Sequence, residues 1–143
     1  MEKAKGFRTR QFESCFVEIL QKNTKSVILG CVYRPPDGSR YLDKNFNATF
    51  KQTLTSLSVL QKEVIILGDF NTDYLKRNIG RELKDMLTLF GFKQLIKEPT
   101  RITEETSTLI DIILTNNNSV ISKVGVLPLS LSDHDILVDK NTF

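Results

Sequence analysis

Cysteine and histidine are scarce in this chain of 143 residues. Two cysteines and one histidine lie scattered with no ligand spacing, which excludes the common zinc-site patterns. No apolar run approaches the roughly 20 residues that span a bilayer. Residues 1–10 are basic and polar and lack the apolar centre of a secretory signal. Strong charge bias is missing too: 20 Lys and Arg stand against 17 Asp and Glu, a net charge of +3. A surplus that small, spread along the chain, permits nucleic-acid contact without arguing for it. No repeat, linker or low-complexity segment is visible. What remains is ordinary globular composition, 40% hydrophobic and 26% charged, at a length that fits one domain with a real core. Cys15 and Cys31 each sit in an apolar, strand-like run. They read as small buried residues with free thiols, in an intracellular reducing compartment, nucleus or cytoplasm, with no membrane partner. A disulfide between them is left open.

The chain is organised around Val64-Ile65-Ile66-Leu67-Gly68-Asp69-Phe70-Asn71-Thr72. Four branched apolar residues in a row predict a short strand buried on both faces of a layered α/β sheet. Asp69 and Asn71 follow at i and i+2, so a chain that stayed extended would set both side chains on one side. Strand mouths of this kind are where open α/β sheets place ligands. The plainer alternative is an Asp-Asn turn leaving a strand, with Gly68 supplying the bend. Asp73, just past the motif, reads as a solvated-loop residue whose substitution should be nearly silent.

In chain order, residues 1–11 read as a frayed or disordered start, 12–138 as the folded domain and 139–143 as a tail. Phe12–Leu20 and Val27–Tyr33 predict two strands joined as a hairpin, which Arg34-Pro35-Pro36-Asp37-Gly38 ends sharply. A helix is expected from Asp43, its stripe made of Phe46, Phe50, Leu54 and Leu57. A second stripe, Ile79, Leu83, Met86, Leu87 and Phe90, has Gly91 as its stop. Leu95-Ile96, Leu109–Leu114, Val120–Val126 and Ile136–Val138 predict further short strands. Asn47-Ala48-Thr49 and Asn117-Asn118-Ser119 match the glycosylation pattern by chance, since no secretory signal accompanies them.

Three further places join polar groups to strand ends. At Tyr33-Arg34-Pro35-Pro36 a phenol and a guanidinium leave a strand together; the alternative is a tyrosine capping the core beside a rigid turn. Asp111 lies inside Thr108-Leu109-Ile110-Asp111-Ile112-Ile113-Leu114, where an ionised carboxylate is costly without a partner such as a histidine or arginine. Ser132-Asp133-His134-Asp135 holds the only histidine, flanked by acids that could orient it and raise its pKa. A lone histidine is more often structural, yet Asp111 against one ring nitrogen would leave the other facing a phosphate.

Gly68-Asp69-Phe70-Asn71, Asp111 after Pro99-Thr100-Arg101, and Ser132-Asp133-His134 occur in the order found in the endonuclease/exonuclease/phosphatase superfamily. With Tyr33-Arg34-Pro35-Pro36, the chain resembles the endonuclease domain of non-LTR (LINE- or jockey-like) retrotransposons, which is related to apurinic/apyrimidinic endonucleases and DNase I. The resemblance implies a four-layered α/β sandwich of the DNase I type, incomplete on its N-terminal side. It implies phosphodiester hydrolysis with magnesium, manganese being the alternative, and DNA as substrate and partner. A reverse transcriptase domain in the parent polyprotein is a further implied partner.

By motif position, Asp69 would activate water and Asn71 would position it. His134 would donate to the phosphoryl oxygen, with Asp111 fixing the ring, and Tyr33 would contact the scissile phosphate. Asp133, Asp69 and Asn71 would hold the metal, and Tyr33, Arg34 and Arg101 would meet DNA. The departures are the family's upstream asparagine and metal-binding glutamate, which have no counterpart here, and Asp135-Ile136 where a small residue and a proline are usual. Glu13 and Glu18 are not taken as replacements for that glutamate. Impaired nicking is therefore expected of this chain. The alternatives are a phosphatase or sphingomyelinase-like hydrolase of the same superfamily, and a non-catalytic remnant that binds DNA or a partner.

Overall fold

A computed structural model describes residues 5–9, 12–20, 25–78, 80–117, 124–127 and 133–139. Strands β1 (Lys5–Thr9), β2 (Glu13–Ile19), β3 (Val27–Tyr33), β4 (Glu63–Asp69), β8 (Asp111–Thr115) and β5 (Lys93–Gln94) form one six-stranded sheet in that spatial order. β3 and β4 run parallel and their neighbours pair antiparallel, so the sheet is mixed. The parallel step needs a crossover, which α1 (Phe46–Val59) supplies. α2 (Arg81–Leu89) lies between β4 and β5 in the chain. Two two-stranded sheets complete the architecture: β6 (Arg101–Ile102) with β7 (Ser107–Thr108), and β9 (Val124–Leu127) with β10 (Ile136–Asp139).

Period-2 alternation decides which face is buried. Ile28 and Val32 of β3, Val64 and Ile66 of β4, and Phe16 of β2 join the α1 stripe Phe46, Phe50, Leu54 and Leu57 in one core. Phe12, Phe46, Phe50 and Phe70 make a chain of edge and stacked ring contacts with centroids 5.3–6.3 Å apart. Gly68 is required where it sits. A Cβ there would lie 2.0 Å from the Val32 carbonyl oxygen, so any side chain would force β3 and β4 apart.

Several boundaries move, each for a local reason. Lys5–Thr9, expected to be frayed, form β1, because a strand added to the edge of β2 is held by backbone bonds that ask little of composition. α1 starts at Phe46 rather than Asp43: the Asp43 carboxylate accepts the Asn45 amide at 2.9 Å and holds a turn ahead of the helix. α2 ends as expected. Gly91 at φ 73° donates to the Thr88 carbonyl and Phe92 donates to that of Leu87, the paired bonds of a Schellman stop. β8 begins at Asp111 rather than Leu109, since its partner β4 ends at Asp69 opposite Asp111, and the Leu109 and Ile110 carbonyls accept instead from Tyr74 and Phe70 of the loop beyond. β5 falls at Lys93–Gln94, just ahead of the expected Leu95-Ile96. Ile79, Val120 to Lys123, Ser132 and residues 140–143 lie outside the described residues.

Candidate active site

The site assembles at the end of the sheet where β4 runs out. In register, Glu13 of β2 stands opposite Tyr33 of β3, Tyr33 opposite Asp69 of β4, and Asp69 opposite Asp111 of β8. Adjacent positions of a ladder point to one face, so these side chains form a row on the face away from α1. Tyr33 is 39% exposed. It therefore stands open beside the carboxylates rather than capping the core.

His134 enters from another segment. An isolated bridge pairs it with Arg101, the Asp135 amide donates to the Thr100 carbonyl at 2.8 Å, and the Ile102 amide donates to that of Asp133 at 3.2 Å. These bonds bring the ring to Asp111, His134 Nδ1 lying 3.0 Å from Asp111 Oδ2. The contact expected from a carboxylate in an apolar strand is present. Among the described residues, Asp69, Asp111 and His134 form the one cluster of acids and histidine suited to a metal, their ligand atoms all within 4.8 Å of one another.

Asn71 departs from its expected placement. Its φ of 45° breaks the extended chain, so alternation does not align it with Asp69. Its amide N–H donates to Asp69 Oδ1 at 2.9 Å, and its side-chain NH2 donates to the Arg34 carbonyl at 2.9 Å. The turn alternative describes this backbone, and it ties the Asp69 loop to the Tyr33 loop. Burial is the leading influence on Asp69 and pushes its carboxyl above the usual carboxylate range. The Asn71 amide opposes the shift, and the like charge of Asp111 adds to it.

The other expected site residues are engaged elsewhere. Asp133 is exposed and paired with Arg101, Oδ2 to Nε at 2.8 Å, and that hydrogen bond holds its carboxyl below the ordinary range. Of the two acids in the expected metal set, Asp69 belongs to the cluster with Asp111 and His134, and Asp133 does not. Arg34 is mostly buried: it pairs with Asp37 at 2.6 Å, donates to the Phe70 carbonyl at 3.4 Å and lies over the Phe46 ring. It braces the turn from inside. Arg101, paired with Asp133, keeps 43% of its side chain exposed beside the cluster.

Two residues given no role by the sequence reading build this geometry. Thr100 is fully buried, and its Oγ1 accepts from the amides of both Ile110 and Asp111 at 3.2 and 2.9 Å. Its backbone meanwhile binds Asp135 and Thr108. It joins the Asp111 strand to the His134 segment. Asp73, expected to be solvated, is 8% exposed, and its Oδ1 accepts from Leu109 and Leu75. Its substitution will not be silent. Asp73→Ala strands a buried amide and is expected to cost about 1–3 kcal/mol. Urea unfolding with a midpoint unchanged from the parent chain would contradict this.

The two carboxylates of the cluster, held in a partly desolvated place that raises one of them, fit a divalent cation that favours oxygen. A family model described as "Endonuclease-reverse transcriptase" matches residues 27–138. Among solved structures, the endonuclease domain of TRAS1, a telomere-specific non-LTR retrotransposon, is similar with a TM-score of 0.70 at 17% identity, over 94% of this chain. The chain spans 65% of the length of that domain. The inositol polyphosphate 5-phosphatase domain of SPsynaptojanin matches with a TM-score of 0.62 at 16% identity, over 95% of this chain and 52% of its own. The human Nocturnin catalytic domain matches with a TM-score of 0.55 at 14% identity, over 85% and 49%. At such identities the likeness is one of fold, and it bears out the α/β architecture of the DNase I type. No curated protein matches the sequence.

Proposed function

The chain belongs to the endonuclease-reverse transcriptase family, within the endonuclease/exonuclease/phosphatase superfamily, and on that premise we propose that it carries the catalytic face of a divalent-metal-dependent, DNA-nicking phosphodiesterase. One observation supports the reading above the others: Asp69, Asp111 and His134, from three separate segments, converge within 4.8 Å. The carboxylates of Asp69 and Asp111 would hold magnesium or manganese, with the His134 ring beside the ion. Such an ion lowers the pKa of bound water and offsets charge on a phosphoryl group.

The chain's own groups have distinct tasks. Asp69, its affinity for protons increased by burial, is suited to take the proton of an attacking water. Asp111 orients His134 through Nδ1, which directs Nε2 toward a phosphoryl oxygen that gains charge as the bond to water forms. Tyr33 stands beside Asp69 with its hydroxyl available to a phosphate. Asn71 supports the reaction by holding the Asp69 and Tyr33 loops together. Arg101, half-exposed beside the cluster, would meet the DNA backbone.

Two protein carboxylates are few for an ion that prefers six oxygens. Weak metal binding and slow nicking are therefore expected of the isolated chain. The test is a manganese titration followed by electron paramagnetic resonance, run beside nicking of supercoiled plasmid and hydrolysis of inositol phosphates and sphingomyelin. Saturable 1:1 binding abolished by Asp111→Asn, with cleavage confined to DNA, supports the proposal. Manganese binding unaffected by Asp111→Asn would remove the site, and turnover confined to the small phosphate esters or the lipid would reassign the substrate. Salt-sensitive DNA affinity with neither metal binding nor turnover would mark a non-catalytic DNA-binding remnant.

A further inference from the structure

The two cysteines read from sequence as separately buried are both exposed, and both are free thiols. They are also register partners: Cys15 of β2 stands directly opposite Cys31 of β3 in the antiparallel ladder. We propose that Cys15 and Cys31 form a modification site, a dithiol that closes to a reversible cross-strand disulfide by exchange with a small-molecule disulfide of the oxidised-glutathione class. This stands apart from the hydrolase reading and needs neither metal nor substrate.

The first support is geometric. Directly opposed residues of an antiparallel pair have Cα atoms about 4.5–5.5 Å apart. Disulfides span Cα separations of about 4.4–6.8 Å. Opposed side chains leave the sheet on the same face, and neither cysteine belongs to the buried core. Both sulfurs are therefore open to reagent.

The second support is that the register is pinned. Phe16 pairs with Gly30, and its ring fills the space where a side chain at Gly30 would stand: a Cβ there would lie 2.4 Å from the ring. A slip of β2 by one residue would turn Phe16, 2% exposed, out of the core. The same packing that holds Phe16 over Gly30 holds Cys15 opposite Cys31. Pairing continues on both sides, from Glu13 with Tyr33 to Ile19 with Val27.

The reaction balances without a further co-reactant. One cysteine thiolate attacks a sulfur of the oxidised reagent, forming a mixed disulfide and releasing one reagent thiolate. The second cysteine thiolate attacks the protein sulfur of that bond, so the Cys15–Cys31 bond forms and the second reagent thiolate leaves. The protons lost by the cysteines pass to the two released thiolates, and the reagent is reduced by the two electrons the cysteines give up.

The experiment equilibrates the chain with glutathione and its disulfide at graded ratios, quenches with acid, and counts thiols by alkylation and intact mass. It is run in native buffer and in denaturing urea. Folded pairing should raise the effective concentration of one thiol at the other by on the order of tenfold or more over the unfolded chain. Native chain should thus lose two hydrogens at a lower oxidant ratio than unfolded chain, and dithiothreitol should restore them. A re-registered control, Cys15→Ser with Val17→Cys, keeps two thiols on the same face but sets them diagonally, about 7–8 Å apart. Its native advantage should disappear while its behaviour in urea stays close to the parent's. Equal oxidation in buffer and urea, separate glutathione adducts on both cysteines, disulfide-linked dimers, or a control that oxidises as readily as the parent would each overturn the proposal.

Discussion

His134→Ala is expected to slow phosphodiester hydrolysis by on the order of a hundred- to a thousandfold, about 3–4 kcal/mol of transition-state stabilisation. The ring is the one group of the cluster that can donate to a phosphoryl oxygen, and Asp111 holds it from Nδ1 at 3.0 Å. Asp69→Asn should cost a comparable factor. The change is nearly isosteric and leaves the Asn71 amide an oxygen to bind, but it removes the charge that would accept a proton from water. Both variants should keep most of any DNA affinity, which would rest mainly on phosphate contacts and fall with salt. The measurement is single-turnover nicking and DNA affinity at saturating magnesium, in this chain joined behind the N-terminal part of a related endonuclease domain. Gln52→Ala, on the exposed side of α1, is the control. If His134→Ala and Asp69→Asn nick as fast as Gln52→Ala, the cluster is not where the bond is cut.

Phe70→Ala should destabilise the fold by about 3–5 kcal/mol, a large share of the roughly 5–15 kcal/mol that holds a typical domain together. Phe70 sits between the two motif residues Asp69 and Asn71, yet none of it is exposed. Its ring packs edge-on against Phe46 and Phe50, with centroids 6.3 and 5.6 Å away, and its amide donates to the Ile110 carbonyl. Alanine would leave a cavity under the Asp69 turn and loosen the anchor that keeps Asp69 beside Asp111. Urea unfolding followed by far-UV circular dichroism measures the loss. A midpoint within experimental scatter of the parent's would mean that the turn is held by its hydrogen bonds alone. Phe70→Leu, which keeps most of the volume, should recover much of the difference.

The packed core was legible because its signals are periodic. Phe46, Phe50, Leu54 and Leu57 recur at helical spacing, and Val64 to Leu67 form an unbroken apolar run; both patterns survive as α1 and β4. The partnership of Asp111 with His134 was legible for an energetic reason, since a carboxylate inside an apolar strand needs a donor and the chain has one histidine. Gly91 as a helix stop followed from the left-handed backbone that glycine tolerates.

What the tertiary structure alone decided concerns groups whose partners are far along the chain. Nothing in Asp73's neighbours says that its carboxylate will accept the amide of Leu109, or in Thr100's that its hydroxyl will serve Ile110 and Asp111. Asp133 lies one residue from His134, yet it turns to Arg101 rather than to the cluster. Two cysteines in separate apolar runs became direct neighbours because a hairpin register, set by Phe16 over Gly30, carried them there. Local sequence determines which residues must leave water, because that free energy is additive along a face. Which polar groups meet depends on strand register and order, and those emerge only when the whole sheet satisfies its backbone hydrogen bonds at once.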